Sequence, residues 1–144
     1  MLKWFKAFLI MYKAHKGQKD KGGKAYFLHP LRVSLKIKDK RAKVIGLLHD
    51  VIEDSDKYKL SDFTFLDEEQ VEALKTLTHD KSVPYFDYID KIKANPLARK
   101  VKLSDLEDNM NLSRLKEITG KDRERLAKYE KARKILLEAE EYNI

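Results

Sequence analysis

The chain has 144 residues, 42% of them hydrophobic, which suffices for one domain with one core and leaves no room for a second catalytic domain. It contains no cysteine, which excludes disulfides and thiolate metal sites, so any metal must be bound by histidine and carboxylate groups. The net charge of +7 is uneven: residues 1–43 carry 13 Lys and Arg against 2 Asp, whereas residues 44–144 carry 18 against 22 Asp and Glu. This asymmetry suits an anionic ligand, nucleic acid or a membrane surface, although a solvated lysine face explains most of these lysines equally well.

No apolar run reaches the roughly 18 residues that a membrane span requires. The first segment is interrupted by lysines at helical spacing and lacks a cleavage site, so it is interpreted as an amphipathic helix and not as a signal peptide. We therefore expect a cytoplasmic protein without a membrane partner. No nucleic-acid motif is visible, so nucleic acid is not expected as a partner either, and a homodimer stays open.

The periodic stretches indicate helices almost throughout, beginning with a helix over residues 2–15. The apolar face expected for this helix consists of Leu2, Phe5, Leu9, Ile10 and Tyr12. A loop over residues 17–24 follows. Pro30 suits a first helical position, which predicts a second helix from Pro30 to about Ile37.

A third helix is predicted from Lys40 to about Glu53, and its middle is apolar almost all round, which is typical of a buried helix. The acidic run that starts at Asp67 predicts a helix to about Leu77, after a short turn over residues 62–65. Further helices are predicted over residues 85–94, 96–116 and 122–142, and Gly120 is expected to end the second of these three. The apolar stripe of the last helix comprises Leu126, Tyr129, Ala132, Ile135, Leu136 and Ala139.

The most informative feature is the pair His49-Asp50 in the middle of an apolar helix. Burying an unpaired carboxylate costs several kcal/mol, and a bound cation compensates that cost. Glu53 and Asp54 follow four residues later, so a continuous helix would place them over His49 and Asp50. A single buried histidine is more often a satisfied core residue than a ligand, so other residues must complete the set.

Two further residues complete a mixed nitrogen and oxygen shell. His29 stands at a helix start before Pro30, and Asp105 lies in another mostly apolar stretch, Val101-Lys102-Leu103-Ser104-Asp105. Two imidazoles and two carboxylates suit Mn²⁺, Fe²⁺ or Zn²⁺ better than Ca²⁺. The sequence thus predicts a metal site formed by His29, His49, Asp50 and Asp105.

Four segments carry a resemblance to the HD superfamily, and within it to the RelA/SpoT-type guanosine polyphosphate 3′-pyrophosphohydrolases. In chain order they are Ala14-His15-Lys16-Gly17-Gln18, Tyr26-Phe27-Leu28-His29-Pro30, Leu47-Leu48-His49-Asp50-Val51-Ile52-Glu53-Asp54 and Val101-Lys102-Leu103-Ser104-Asp105. The likeness spans roughly residues 12–136. It implies an all-α, single-domain HD-type bundle of about six to eight helices over residues 1–144, built around a buried metal site and resembling a small stand-alone hydrolase.

The resemblance also implies roles for individual residues. Metal ligands would be His29, His49, Asp50 and Asp105, and the catalytic acids would be Glu53 and Asp54. Asn109, one helical turn after Asp105, would contact the substrate. Lys19, Lys21 and Lys81 are further candidate substrate contacts because of their charge, although a solvated lysine explains Lys81 at least as well. The implied metal is Mn²⁺, with Fe²⁺, Zn²⁺ or Mg²⁺ as alternatives. The implied reaction, which belongs to the stringent response, removes pyrophosphate from the 3′ position of (p)ppGpp and leaves GDP or GTP.

One departure from the family pattern concerns the nucleobase. Asp20 stands where the family usually has an arginine, two residues after Gln18. Lys19 or Lys21 could supply charge, but a lysine does not reproduce the planar stacking of a guanidinium. Two alternatives therefore stay open: a phosphohydrolase acting on NADPH, a nucleoside monophosphate or another polyphosphorylated nucleotide, and a non-catalytic nucleotide- or nucleic-acid-binding module. The intact acid pair argues against the second. We expect no synthetase activity from these residues, because in the family that activity resides in a separate domain.

Three other residues are assigned structural roles. His15 is expected to pack or cap near the end of the first helix, and His79 to lie at a helix end, so both are left out of the metal shell. Arg32 is expected to form a structural salt bridge in preference to a phosphate contact.

Overall fold

In the computed structural model, which describes residues 1–142, the chain forms eight α-helices, two short 3-10 helices and no strand. The α-helices are α1 (Leu2–His15), α2 (Leu28–Lys36), α3 (Lys40–Leu48), α4 (Val51–Asp54), α5 (Glu68–Leu77), α6 (Tyr85–Lys93), α7 (Pro96–Asn109) and α8 (Gly120–Tyr142). The 3-10 helices are Leu60–Asp62 and Leu112–Arg114. The predicted all-helical class is confirmed. Among these residues, no helix combines the length and apolar character needed to cross a membrane.

Helix α3 is the centre of the core, as its apolar sequence predicts. It packs against α1, α2, α5 and α7, and Ile45, Leu47 and Leu48 are fully buried. Gly46 allows the close approach of α2, because a Cβ at this position would lie 3.2 Å from the Cα of Ser34. The helix begins at an N-cap, Asp39, whose carboxylate accepts from the backbone amides of Arg41 and Ala42.

The third predicted helix is wrong in its length. In place of one helix to Glu53, the chain forms α3 and α4, with a turn at His49-Asp50 between them. The carbonyl of Gly46 accepts from His49 Nδ1 at 2.6 Å, so the imidazole takes a place that the backbone amide of Asp50 would fill in a continuous helix. Glu53 and Asp54 therefore do not follow His49 and Asp50 on one continuous helix, as was predicted.

The predicted helix over residues 96–116 is also too long. Helix α7 ends at Asn109, and Arg114 folds back so that its guanidinium donates to the carbonyl of Asp108 at 2.6 Å. Gly120 does not end this run but is the first residue of α8. Thr119 and Asp122 fix that start, since each side chain accepts from the other residue's backbone amide.

The apolar face predicted for α1 is wrong in orientation. The side chains packed into the core are Ala7, Met11 and Ala14, and the small alanines let α1 approach α3 closely. Ile10 is half-buried, but Leu2, Phe5, Leu9 and Tyr12 face solvent. Because α1 is apolar on more than one side, its sequence does not decide which side meets the core.

Other boundaries differ less from the predictions. Helix α2 starts two residues before Pro30, which then lies in the first turn, where its missing N–H is not needed. Helix α5 begins after the N-cap Asp67, whose carboxylate accepts from Gln70 N while Gln70 returns a bond to Asp67 N. In α8, Ala132, Leu136 and Ala139 of the predicted stripe are buried.

Candidate metal centre and adjoining cavity

The four residues that the sequence nominated as ligands lie together in the structure. One ligand atom from each of His29, His49, Asp50 and Asp105 lies within 4.8 Å of the other three, and no other such group is found among the described residues. We call these four residues the His/Asp cluster. Ligand atoms on opposite sides of a single metal ion are separated by about 4 Å, so the cluster could hold one ion.

Each imidazole of the cluster is fixed through its Nδ1 atom. His29 Nδ1 lies 2.6 Å from Asp108 Oδ2, and His49 Nδ1 lies 2.6 Å from the Gly46 carbonyl oxygen. Since both of these partners accept hydrogen bonds, they favour the tautomer with the proton on Nδ1. The Nε2 atoms are left for the cluster, which is the usual arrangement of metal-binding histidines.

The turn between α3 and α4 explains how two adjacent residues reach one point. In a regular helix, the side chains of His49 and Asp50 would diverge by about 100°. Asp50 instead adopts φ −105° and ψ −3°, outside the usual helical values, and its Oδ2 lies 3.1 Å from His49 Nε2. The break in the helix therefore brings both side chains to the same point in the cluster.

Both carboxylates of the cluster are held by further side chains. Tyr26 donates its hydroxyl to Asp50 Oδ2 at 2.7 Å. Lys102 Nζ lies 2.8 Å from Asp105 Oδ2, while Asp105 Oδ1 lies 2.9 Å from His29 Nε2 and accepts from Asn109 Nδ2 at 3.2 Å. One oxygen of Asp105 thus faces the imidazoles and the other faces the lysine.

The electrostatics of the cluster keep its carboxylates ionised. Burial would raise the pKa of Asp105, but the charges of Lys102 and His49 hold it well below its usual range. For His29, burial by itself would lower the pKa, because it disfavours the charged imidazolium. Hydrogen bonds to Asp105 and Asp108 outweigh this effect and raise the pKa of His29 to about 9. The negative charge is therefore present at neutral pH for a cation to use.

Glu53 and Asp54 stand beside the cluster on α4 and remain accessible to solvent. Partial burial is the largest cause of a raised pKa in both acids, and the negative charge of Asp50 adds to it. One oxygen of Glu53 accepts from the backbone amide of His79, which leaves the other oxygen free. A carboxylate with a raised pKa and one free oxygen is suited to proton transfer.

A cavity of about 370 Å³ opens on the His29 side of the cluster. Loop residues Lys19–Gly22, residues 108–115 and the first turns of α8 supply most of its wall. Its cationic side chains are Lys19, Lys21, Arg32, Arg114 and Arg125. Asn109 also lines it, so three of the four substrate contacts expected from the sequence lie here.

The loop that carries Lys19 and Lys21 is closed by Asp20. Asp20 Oδ1 accepts from Lys24 N at 2.9 Å, and the backbone amide of Asp20 donates to the Lys24 carbonyl at 2.8 Å. The loop touches the opposite wall at Gly22, where a Cβ would lie 2.5 Å from the Arg114 carbonyl oxygen. Asp20 thus has a structural role. Arg114 and Arg125 also line this cavity, and their guanidinium groups pair with Asp108 and Asp122.

Lys81, the fourth expected substrate contact, is not brought to the cavity and lies exposed after α5. His79 is also outside the cluster, since its ring stacks on Tyr88 at 4.3 Å and its Nε2 lies 2.8 Å from the Val83 carbonyl oxygen. His15 is buried at the end of α1 and packs on Tyr26, as expected. Arg32 forms the expected salt bridge, to Asp108.

Three side chains that hold the cluster were not predicted from the sequence: Tyr26, Lys102 and Asp108. Asp108 is fully buried, and besides His29 it meets Arg32 and Arg114 at 2.9 Å and 3.4 Å. A signal was present, because Lys102 and Asp108 are charged residues one helical turn from Asp105 on an otherwise packed helix. Tyr26 lies in the family-like segment that contains His29, but no role was predicted for it.

Comparisons with known proteins agree with the resemblance seen in the motifs. A guanosine-3′,5′-bis(diphosphate) 3′-pyrophosphohydrolase of Borreliella burgdorferi is 38% identical over 82 residues, which cover 53% of this chain and 12% of that protein. A GTP pyrophosphokinase of Myxococcus xanthus is 46% identical over 55 residues, which cover 35% of this chain and 7% of that protein. The chain thus spans only a small part of the length of these curated relatives. No protein-family model matches it.

Among solved structures, a metazoan ortholog of SpoT that hydrolyses ppGpp superimposes with a TM-score of 0.74. The match covers 94% of this chain and 86% of the other, at 23% sequence identity. The two proteins therefore share their all-helical fold, and the predicted resemblance to SpoT-type hydrolases is confirmed.

Proposed function

We propose that this chain is a metal-dependent pyrophosphohydrolase that acts on (p)ppGpp. The observation that carries the proposal is the His/Asp cluster with Glu53 beside it and a cationic cavity next to His29. A substrate with phosphates at both ends needs one place for the reacting group and a second place for the remaining charge. The cluster and the cavity supply these two places.

The donor set of the cluster fits Mn²⁺, and also Fe²⁺ or Zn²⁺, since it combines two imidazole nitrogens with two carboxylates. We assign His29, His49, Asp50 and Asp105 as the ligands. When bound, the metal supplies Lewis acidity toward the phosphoryl group and toward the attacking water.

The chemical step hydrolyses the bond between the ribose 3′ oxygen and phosphorus. A water oxygen forms the new bond to phosphorus, and Glu53 and Asp54 orient this water and accept its proton. The ribose oxygen leaves with a proton, so ppGpp and water give GDP and pyrophosphate. Asn109, next to Asp105, and Lys21, in the cavity wall, hold the nucleotide in this scheme.

A second candidate keeps the reaction and changes the substrate to another phosphorylated nucleotide, such as NADPH or a nucleoside monophosphate. Asp20 favours it, because this side chain closes its own loop and offers no stacking surface for guanine. Arg114 and Arg125 favour ppGpp, since both place a planar guanidinium at the same cavity. A binding module without activity has no use for the two acids on α4.

The test is a screen of nucleotides with and without added Mn²⁺, read by chromatography and by assays for pyrophosphate and orthophosphate. We expect GDP and pyrophosphate from ppGpp, and loss of both products in EDTA. The Glu53→Gln variant, purified in the same way, controls for contaminating phosphatases. Release of orthophosphate from a different nucleotide, with ppGpp left intact, would replace the leading proposal by the second candidate.

A further inference from the structure

A stripe of apolar side chains runs along the solvent side of α1. It consists of Leu2, Phe5, Leu9 and Tyr12, which are exposed by 69%, 53%, 56% and 39%. Their spacing of three, four and three residues places them on one side of the helix. Single exposed apolar residues are ordinary, but a continuous exposed line of four is typical of an interaction surface.

Helix α2 lies alongside α1. Trp4 Nε1 donates to Ser34 Oγ at 2.9 Å, and Tyr12 meets Phe27 with ring centroids 5.3 Å apart, so α1 and α2 lie antiparallel. Leu35, which follows Ser34 on α2, is also exposed, by 60%.

Lysines border the stripe. Lys6, Lys13 and Lys16 each follow a stripe residue by four positions, which makes them its neighbours on the helix surface, and all three are exposed. Residues 1–19 contain no Asp or Glu. Along α1 itself, the stripe is therefore bordered by positive charge and by no acid.

This charge pattern favours one class of partner over a second copy of the chain. In a two-fold contact between two α1 helices, lysines would face lysines without any acid to pair with. A peptide helix lays its apolar face into a groove, whereas the stripe residues project from the outer side of α1, each at least 39% exposed. A nearly flat surface with negative charges above an apolar layer would match both the lysines and the apolar stripe.

We propose that this face binds the surface of an anionic lipid bilayer, with α1 lying in the plane of the interface. The four stripe residues would enter the boundary between headgroups and acyl chains, while the lysines reach the anionic headgroups through their long stems. This proposal departs from the expectation of no membrane partner, which rested on the lack of a spanning segment. The inference is independent of the proposed hydrolase activity.

Co-sedimentation with vesicles tests the proposal. We expect the full chain to partition onto phosphatidylglycerol-phosphatidylcholine vesicles and to remain in solution with phosphatidylcholine alone. Raising the salt concentration should weaken the binding, since the headgroup term is electrostatic. Trp4, the single tryptophan, lies on α1 and should report the binding by a change in its fluorescence.

The variant Phe5→Ser/Leu9→Ser should partition at least about ten-fold more weakly, because it removes the two central apolar anchors. Ile118→Ser, an equally exposed apolar residue outside α1 and α2, is the matched control and should bind like the original chain. Lys6→Gln/Lys13→Gln provides a second variant that leaves the apolar stripe intact and should also weaken binding. Far-UV circular dichroism of each variant verifies the fold.

Two results would overturn the proposal. One is binding to anionic vesicles that the Phe5→Ser/Leu9→Ser variant retains in full, or that does not exceed binding to neutral vesicles. The other is a dimer of the original chain in light scattering that becomes a monomer in this variant, because a second copy would then cover the face.

Discussion

The His/Asp cluster is built mainly on helices, whereas much of the cavity wall beside it comes from irregular segments. The four residues of the cluster lie on α2 and α7 and at the turn between α3 and α4, and their side chains are held by buried partners. Much of the cavity wall comes from a loop, Lys19–Gly22, and from the irregular segment after α7. Helices with a packed face fix ligand positions closely, whereas a wall of two touching loops depends on a few contacts such as that at Gly22.

The first prediction removes one ligand from the cluster. Asp50→Asn should abolish Mn²⁺ binding and lower pyrophosphohydrolase activity by about 10³-fold or more, because the site loses a carboxylate that lies next to both imidazoles. Titration calorimetry and the pyrophosphate assay measure the two effects. Asp90→Asn, which changes an exposed carboxylate on α6, is the matched control. Unaltered Mn²⁺ affinity in Asp50→Asn would mean that the cluster is not the metal site.

The second prediction separates chemistry from metal binding within the same region. Glu53→Gln should bind Mn²⁺ as the original chain does but turn over about 10²- to 10⁴-fold more slowly, since it loses the group that accepts the proton. The exposed Glu72→Gln on α5 should leave both quantities unchanged. A Glu53→Gln variant with full turnover would contradict the assignment of Glu53 as the proton acceptor.

The third prediction concerns Asp108, where the two regions meet. This carboxylate bonds His29 of the cluster and pairs with Arg32 and Arg114 at the cavity. Asp108→Asn should weaken Mn²⁺ binding by about 10- to 100-fold, because the partner that orients the His29 ring becomes neutral. High Mn²⁺ concentrations should therefore restore part of the activity.

Asp122→Asn, a change at the far wall of the cavity, is the comparison for Asp108→Asn and should leave Mn²⁺ affinity unaltered. Equal loss of Mn²⁺ affinity in both variants would indicate a general loosening of the fold in place of a specific effect on His29. Thermal unfolding of the two variants distinguishes these outcomes.

The same contrast explains what the sequence could predict. Residues 44–48 are apolar and are followed directly by His49-Asp50, and this pattern was enough to predict a buried helix and two members of the His/Asp cluster. The break at His49 was not predictable, because the apolar run continues through Val51 and Ile52 and the cause is a side-chain bond to the Gly46 carbonyl. Local periodicity does not register such a bond.

Long-range contacts account for the other errors. The end of α7 at Asn109 depends on Arg114 reaching back to Asp108, and Leu112 and Leu115 continue the apolar pattern beyond it. The buried side of α1 was chosen by size, since Ala7 and Ala14 fit against α3 where larger residues would not. In each case the deciding partner lies on another element.

The last prediction is the smallest and tests the cavity by itself. Lys21→Met should raise KM about ten-fold while kcat and Mn²⁺ affinity stay unchanged, because it removes one positive charge from the wall and nothing from the cluster. Burial and the nearby Arg125 lower the pKa of Lys21 against the opposing charge of Asp122, and an anionic substrate would stabilise the charged form of this lysine. Lys24→Met, in the same loop but outside the cavity wall, is the matched control. A lower kcat with unaltered KM in Lys21→Met would show that loop and cluster act as one unit, and the division between the two regions would then fail.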